Sequence, residues 1–155
     1  MLTISAESPR QPDVVAILEA GDAHALTLYP AENYYGLELA DLERPGVTLL
    51  VARDAAAVVG TAALVLRGGD TAELKRMFVA PEARGLGAGG ALLTAVERLA
   101  AASGVRLLQL ETGVPQAAAI ALYEKHGYRH IPQFGQYVGD PTSVCMEKQL
   151  GDLPR

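Results

Sequence analysis

The stretch Glu73-Leu-Lys-Arg-Met-Phe-Val-Ala-Pro-Glu-Ala-Arg-Gly-Leu-Gly-Ala-Gly-Gly-Ala-Leu-Leu93 constrains the fold more than any other part of the chain. Glu73 to Val79 reads as a strand, and Pro81 stops it. Arg84 to Gly89 then forms a glycine-rich turn that opens directly into a helix. Such a junction gathers backbone N–H groups at the positive end of a helix dipole, a ready seat for a phosphate or pyrophosphate. The glycines permit backbone angles other residues resist and let a ligand approach the main chain. A P-loop nucleotidase would need Gly-Lys-Ser or Gly-Lys-Thr here, and Gly89-Gly90-Ala91 has neither lysine nor hydroxyl. A dinucleotide-binding fold would open with this motif. Here a long stretch precedes it, and the strand carries Glu73, Lys75 and Arg76, unlike a buried parallel strand.

Around this unit the pattern is mixed α/β. Leu2 to Ala6 reads as a first strand. Pro12 and Asp13 start an apolar-periodic helix that runs to about Leu28. Ala31 to Glu43 reads as a second, less regular helix, stopped by Arg44-Pro45-Gly46. Val47 to Arg53 and Val58 to Leu66 form an antiparallel hairpin across an Asp-Ala turn. Gly68-Gly69-Asp70 leads into the Glu73 strand. In the helix after the glycine turn, Ala88, Ala91, Leu92, Ala95, Val96, Leu99 and Ala102 share one face, with Thr94, Glu97 and Arg98 opposite. Gly104 caps it. Val105 to Glu111 is a buried strand, Pro115 starts a last helix and Gly127 ends it. Tyr128 to Ile131 and Thr142 to Leu150 close the sheet.

Composition bounds the function. At 155 residues the chain suits one domain, with 50% hydrophobic and 20% charged residues. A formal charge of -5 argues against nucleic acid as partner, because phosphate backbones demand basic surface. It leaves a phosphorylated cofactor open, since the turn's amides supply positive potential locally. The single cysteine, Cys145, excludes an intrachain disulfide and fits a reducing, cytoplasmic setting. It reads as a buried strand residue and not as a nucleophile. No signal peptide or membrane span is expected. His24, His126 and His130 have no metal-ligand spacing, so no metal is expected either. Whether the chain acts as a monomer or a homodimer is open at this level.

Arg84-x-x-Gly87-x-Gly89 after a strand resembles the first signature of the GNAT superfamily of N-acetyltransferases. Ala119-Ile-Ala-Leu-Tyr-Glu-Lys-His-Gly-Tyr128 resembles its second, a helix ending in Leu-Tyr-Glu-Lys-x-Gly-Phe/Tyr. The likeness covers Val47 to Leu150, and more loosely the N-terminal helices. Ile131 to Tyr137 and Ser143 to Lys148 look like a bacterial branch of small acetyltransferases. The resemblance implies one N-acetyltransferase domain over residues 1–155 and a largely antiparallel sheet of about six to seven strands flanked by about four helices. It implies acetyl-CoA as co-substrate and a primary amine, most simply of a small molecule, as acceptor.

The same resemblance implies roles for residues. Backbone groups of Met77, Phe78 and Val79 would hold the pantetheine arm. The turn amides Arg84, Gly85, Leu86, Gly87, Ala88 and Gly89 would hold the pyrophosphate, with the Arg84 side chain available to pair a phosphate oxygen. Gln116 stands where relatives often carry asparagine, and keeps its amide chemistry. Tyr123 would lie beside the cofactor and protonate the departing thiolate, since a phenol of reference pKa about 10 stays protonated at neutral pH. Glu73 is the first candidate for general base and Glu111 the second. The acceptor site falls to Tyr29 through Tyr35, especially Asn33, Tyr34 and Tyr35, with Phe134 and Tyr137. These are mostly aromatic, in a chain only 5% aromatic. Attack by the amine directly on the thioester is the simplest mechanism. The alternative is a non-catalytic module that binds acyl-CoA and regulates a partner.

Overall fold

The computed structural model describes residues 1–151. Seven strands form one sheet in the order β1-β2-β3-β4-β5-β7-β6. They are β1 (Leu2–Ala6), β2 (Val47–Asp54), β3 (Ala57–Gly68), β4 (Thr71–Val79), β5 (Leu107–Gly113), β6 (Arg129–Ile131) and β7 (Ser143–Gln149). Among the described residues four α-helices flank them: α1 (Pro12–Leu28), α2 (Leu39–Leu42), α3 (Ala88–Ala102) and α4 (Ala117–Lys125). Every strand pair is antiparallel except β4 with β5. That exception follows from connectivity. The chain leaves β4 through the glycine turn and returns along α3, and only a crossover helix can bring a parallel neighbour alongside.

Period-two alternation sorts the strand residues between the two faces. Leu50, Ala52, Ala62, Leu64, Ala72, Leu74, Leu108 and Leu110 pack with Leu92, Leu93, Val96 and Ala100 of α3. Leu49, Val51 and Ala63 pack on the other face with Val14 and Leu18 of α1 and Leu42 of α2. Glu73 and Lys75 lie opposite Val65 and Ala63, so these two charges belong to the α1 face. Both are buried. The charges of this strand, expected to set it apart from a buried parallel strand, sit at the centre of the sheet, where β4 pairs in parallel with β5.

Several element boundaries differ from the sequence reading. In place of a helix over Ala31 to Glu43 there is a 3-10 turn at Ala31–Asn33, an extended run, and the single turn of α2. Tyr34 and Tyr35 are instead held by their hydroxyls on Asp22 of α1 and Asp140 of the loop before β7, which favours the extended run. The buried stripe of α3 is Ala88, Leu92, Leu93, Val96, Glu97, Ala100 and Ala101. Glu97 therefore faces inward, not outward with Arg98. It accepts the Tyr128 hydroxyl at 2.8 Å and the Lys148 ammonium at 3.0 Å, which makes its burial tolerable. Ala102 is exposed. β5 starts at Leu107 and runs on to Gly113, and α4 starts at Ala117 with Gln116 as its N-cap.

Candidate active site

β4 and β5 pair only from Thr71 with Leu107 to Leu74 with Leu110. Beyond that point β4 continues against β3 alone and β5 against β7 alone. Their facing N–H and C=O groups lose the ladder, so the opening is walled by backbone that a ligand can complete as an added strand would. A bulge bends β4 away. From Ala63 to Thr61 β3 advances two residues, while the paired positions Lys75 to Phe78 advance three along β4. The extra residue is absorbed at Arg76, whose φ of 56° lies in the left-handed region.

Tertiary contacts hold that strained residue. Thr61 Oγ1 donates to the Arg76 carbonyl at 2.9 Å. The Arg76 guanidinium donates to the Leu37 carbonyl at 2.8 Å and to Asp22 at 2.5 Å, and Tyr34 donates its hydroxyl to the same carboxylate. The bulge thus clamps α1 and the Tyr34 segment over the opened strands.

A cavity of about 320 Å³ occupies the opening. Met77, Phe78, Val79, Arg84 and Gly89 line one side, and Glu111, Gln116, Leu122 and Tyr123 line the other. Tyr29, Tyr35, Tyr137, Glu73 and Lys75 close its far end. The expected residues converge on this one space, with exceptions. Gly85, Leu86 and Gly87 are exposed beside it, and Ala88 packs into the core. Phe134 stands behind Tyr137, edge to ring at 5.3 Å, and does not reach the cavity wall. Tyr34 borders the cavity, but its hydroxyl is held by Asp22. Asn33 and Tyr35 both donate to Asp140, at 3.1 and 2.6 Å. Gln116 gives its amide to the Tyr29 hydroxyl at 2.9 Å, so that amide is engaged within the protein. A side chain at Gly113 would collide with the Tyr29 hydroxyl, so glycine there admits the ring against β5.

The glycine turn is built as expected. Gly87 caps α3 with φ 76°, and neither a capping side chain nor an acidic residue occupies the first turn. The helical ladder begins with the Ala91 N–H on the Gly87 carbonyl at 3.0 Å. The amides of Ala88, Gly89 and Gly90 before it have no place in that ladder, which suits an anion.

The polar groups differ sharply in occupation. Glu73 accepts Arg67 twice on one oxygen, at 2.7 and 3.1 Å, and Tyr137 on the other at 2.5 Å. Glu111 accepts one bond, from Ser143 at 2.7 Å. Burial pushes the Glu111 carboxyl up to about 7, partly offset by Ser143 and Lys75. Tyr123 is 5% exposed, and its hydroxyl has no hydrogen-bond partner among the described residues. Burial, and secondarily Glu111, raises its pKa well above the ordinary phenol value, so it stays protonated. Lys75 donates to the Tyr137 hydroxyl at 2.7 Å, and burial lowers its pKa. Sequence reading passed over Lys75 and Arg76 as site residues. The available signal was three charges, Glu73, Lys75 and Arg76, on the strand that runs into the glycine turn.

No three His, Cys, Asp or Glu side chains converge as a metal site among the described residues. No described helix is long and apolar enough to cross a membrane.

A mostly antiparallel sheet parted beside a glycine-capped helix is the arrangement that the GNAT resemblance implies, and comparison with known proteins agrees. The sequence model of the Acetyltransferase (GNAT) family matches residues 16–128, and the chain belongs to that family of acetyltransferases. It is 46% identical over 150 residues to the IAA acetyltransferase of Azospirillum brasilense, covering 96% of this chain and 98% of that relative. A solved Klebsiella pneumoniae structure, provisionally named an acyl-CoA N-acyltransferase, is 36% identical with a TM-score of 0.81, covering 97% and 98% of the two chains. A GNAT acetyltransferase from Elizabethkingia anophelis, solved with acetyl-CoA bound, shares the fold at 19% identity and TM-score 0.69, over 96% and 97% of the chains.

Proposed function

We propose that this chain, as one catalytic domain, transfers the acetyl group of acetyl-CoA to a primary amine of a small molecule. The observation that carries the reading is the pairing of an unpartnered, protonated Tyr123 hydroxyl with a desolvated Glu111 across one cavity. The glycine turn is the seat that suits the pyrophosphate: its first-turn amides are outside the ladder, and no carboxylate competes for them. Arg84 lies beside that seat, and the unpaired edge of β4 from Met77 to Val79 suits the pantetheine arm. Bound there, acetyl-CoA supplies the thioester carbonyl and a sulfur leaving group.

Glu111 takes the base role in preference to Glu73, because both Glu73 oxygens already hold donors. With a pKa of about 7, Glu111 is part ionised at neutral pH and removes a proton from the acceptor ammonium. Freeing a lysine-like amine at pH 7 costs roughly 4–5 kcal/mol, which a positioned carboxylate helps offset. As nitrogen replaces sulfur on the carbonyl carbon, Tyr123 gives its proton to the sulfur and recovers one from the nitrogen. The balance is one amide, one thiol and one proton, which leaves through Glu111. A module that only senses the cofactor would need the glycine turn but neither Glu111 nor Tyr123.

Release of thiol from acetyl-CoA across a panel of amines tests this. Turnover with at least one small amine, lost in both Tyr123→Phe and Glu111→Gln, is expected. Binding of acetyl-CoA with no thiol release for any amine would leave a binding module in its place.

A further inference from the structure

Lys75 lies at the far end of the cavity with its hydrogen bonding incomplete. Its side chain is 6% exposed and lines the cavity. An ammonium carries three N–H donors. One reaches the Tyr137 hydroxyl at 2.7 Å. The Glu73 carboxylate balances the charge as an ion pair at 3.7 Å, but that oxygen is outside hydrogen-bonding reach and already receives Tyr137. Two donors of a buried cation are thus left without acceptors among the described residues, an arrangement that burial penalises unless a ligand completes it.

The other charges around the cavity are committed differently. Arg76 is spent on Asp22 and the Leu37 carbonyl, and Glu73 on Arg67 and Tyr137. Asp140 is held by Asn33, Tyr35 and Thr142 and does not line the cavity. Arg84 lies at the glycine turn, at the opposite end. What remains near the reacting position is one cation with spare donors, Lys75 on β4, and one carboxylate with a spare oxygen, Glu111 on β5. They project from the same face of the sheet, and each feels the other's charge. Of the two carboxylates among the described residues that line the cavity, Glu73 is occupied and Glu111 keeps a spare oxygen, too little to receive a polycation.

We propose that the acceptor is an amino acid or a similar molecule with a carboxylate close to its amine, and that Lys75 binds that carboxylate while Glu111 faces the amine. This rests on the acetyl transfer proposed above. The aromatic lining from Tyr29, Tyr35, Tyr137 and Phe78 leaves space beside the two charges for an apolar side chain.

Two measurements test it. Calorimetry on the wild type compares 3-phenylpropionate with 3-phenylpropanol, probes that share the ring and lack the amine. Binding of the acid at least tenfold tighter than the alcohol is expected, with the difference lost in Lys75→Met and partly restored in Lys75→Arg. The second is kcat/KM for a panel of amino acids against their carboxamides. A preference for the acids of at least tenfold, collapsing in Lys75→Met, is expected, whereas a merely structural lysine would lower both alike and leave the ratio in place. Equal binding of acid and alcohol to the wild type, or a ratio unchanged in the variant, overturns the proposal. Should Lys75→Met fail to fold, the wild-type comparisons decide by themselves. Acid binding without acetylation of any amine would overturn the transfer reading and leave the carboxylate site standing. Acetylation indifferent to the carboxylate would do the reverse.

Discussion

The Tyr137 hydroxyl donates to Glu73 at 2.5 Å, joining residues 64 apart in the chain and tying the loop between β6 and β7 to the central strand. Glu73 also pairs with the half-exposed Arg67 through two bonds and balances the charge of the buried Lys75 at 3.7 Å. Glu73→Gln should therefore destabilise the fold by about 2–4 kcal/mol in urea unfolding, toward the low side because Arg67 is half-exposed and can turn to water. A variant as stable as the parent would show that Glu73 is not a structural partner and would return it to the base role.

Tyr123→Phe separates chemistry from packing. The ring sits edge-on to Tyr128 at 5.8 Å, and phenylalanine keeps that contact. The hydroxyl has no partner to lose, so unfolding free energy should shift by less than about 0.5 kcal/mol. Turnover should fall by about a hundred- to ten-thousandfold, with acetyl-CoA affinity nearly constant. Parent-like turnover at every pH tested would make the tyrosine structural.

Glu111 gives two pH signatures of opposite sign. As a base it works ionised, so kcat/KM should rise with pH and level off above about 7, and Glu111→Gln should flatten the profile. For stability the raised pKa acts the other way. The folded protein holds this proton more tightly than the unfolded chain, whose carboxyl titrates near 4.5. Glu111 therefore costs stability progressively as pH climbs from 4.5 through 7. Relative to the parent, Glu111→Gln should gain about 1–3 kcal/mol on going from pH 5 to pH 8, measured by urea unfolding. A gap between the two proteins that does not change with pH would place the Glu111 pKa at its ordinary value.

At Gly87 the backbone angle and the ligand can be told apart. Its φ is 76°, yet an added Cβ would meet nothing within 4 Å. Gly87→Ala should cost about 1 kcal/mol of strain and weaken acetyl-CoA only modestly. Gly87→Glu carries the same strain, but its charge repels a pyrophosphate while suiting the helix dipole. It should remain folded and lose acetyl-CoA binding by calorimetry. Unchanged affinity in the folded variant would remove the turn from the cofactor site.

The Glu73 strand, the glycine turn and α3 were legible in the sequence because each is specified by near neighbours. Residues Ala31 to Glu43 were not. Asn33, Tyr34 and Tyr35 within that stretch give their hydrogen bonds to Asp140 and Asp22. Asp140 lies 107 and 105 residues from Asn33 and Tyr35, and no local rule anticipates such partners. Glu97 failed for the same reason. A charge on an amphipathic helix reads as solvated unless Tyr128 and Lys148, supplied 31 and 51 residues later, are known to meet it.

The sequence by itself determined most of the elements, the glycine turn and the family, because helical periodicity, strand alternation and positive-φ glycines act over a few residues. It also nominated Tyr123, Glu73 and Glu111. Tertiary structure alone decided which of them is left available. That choice depends on where the β4–β5 ladder ends, at Leu74 and Leu110, and on the bulge at Arg76 that Thr61, Asp22, Tyr34 and the Leu18 and Leu37 carbonyls hold. Ladder length and bulge position are set by contacts between distant segments, whose energies are small singly and decisive only when the whole sheet is assembled.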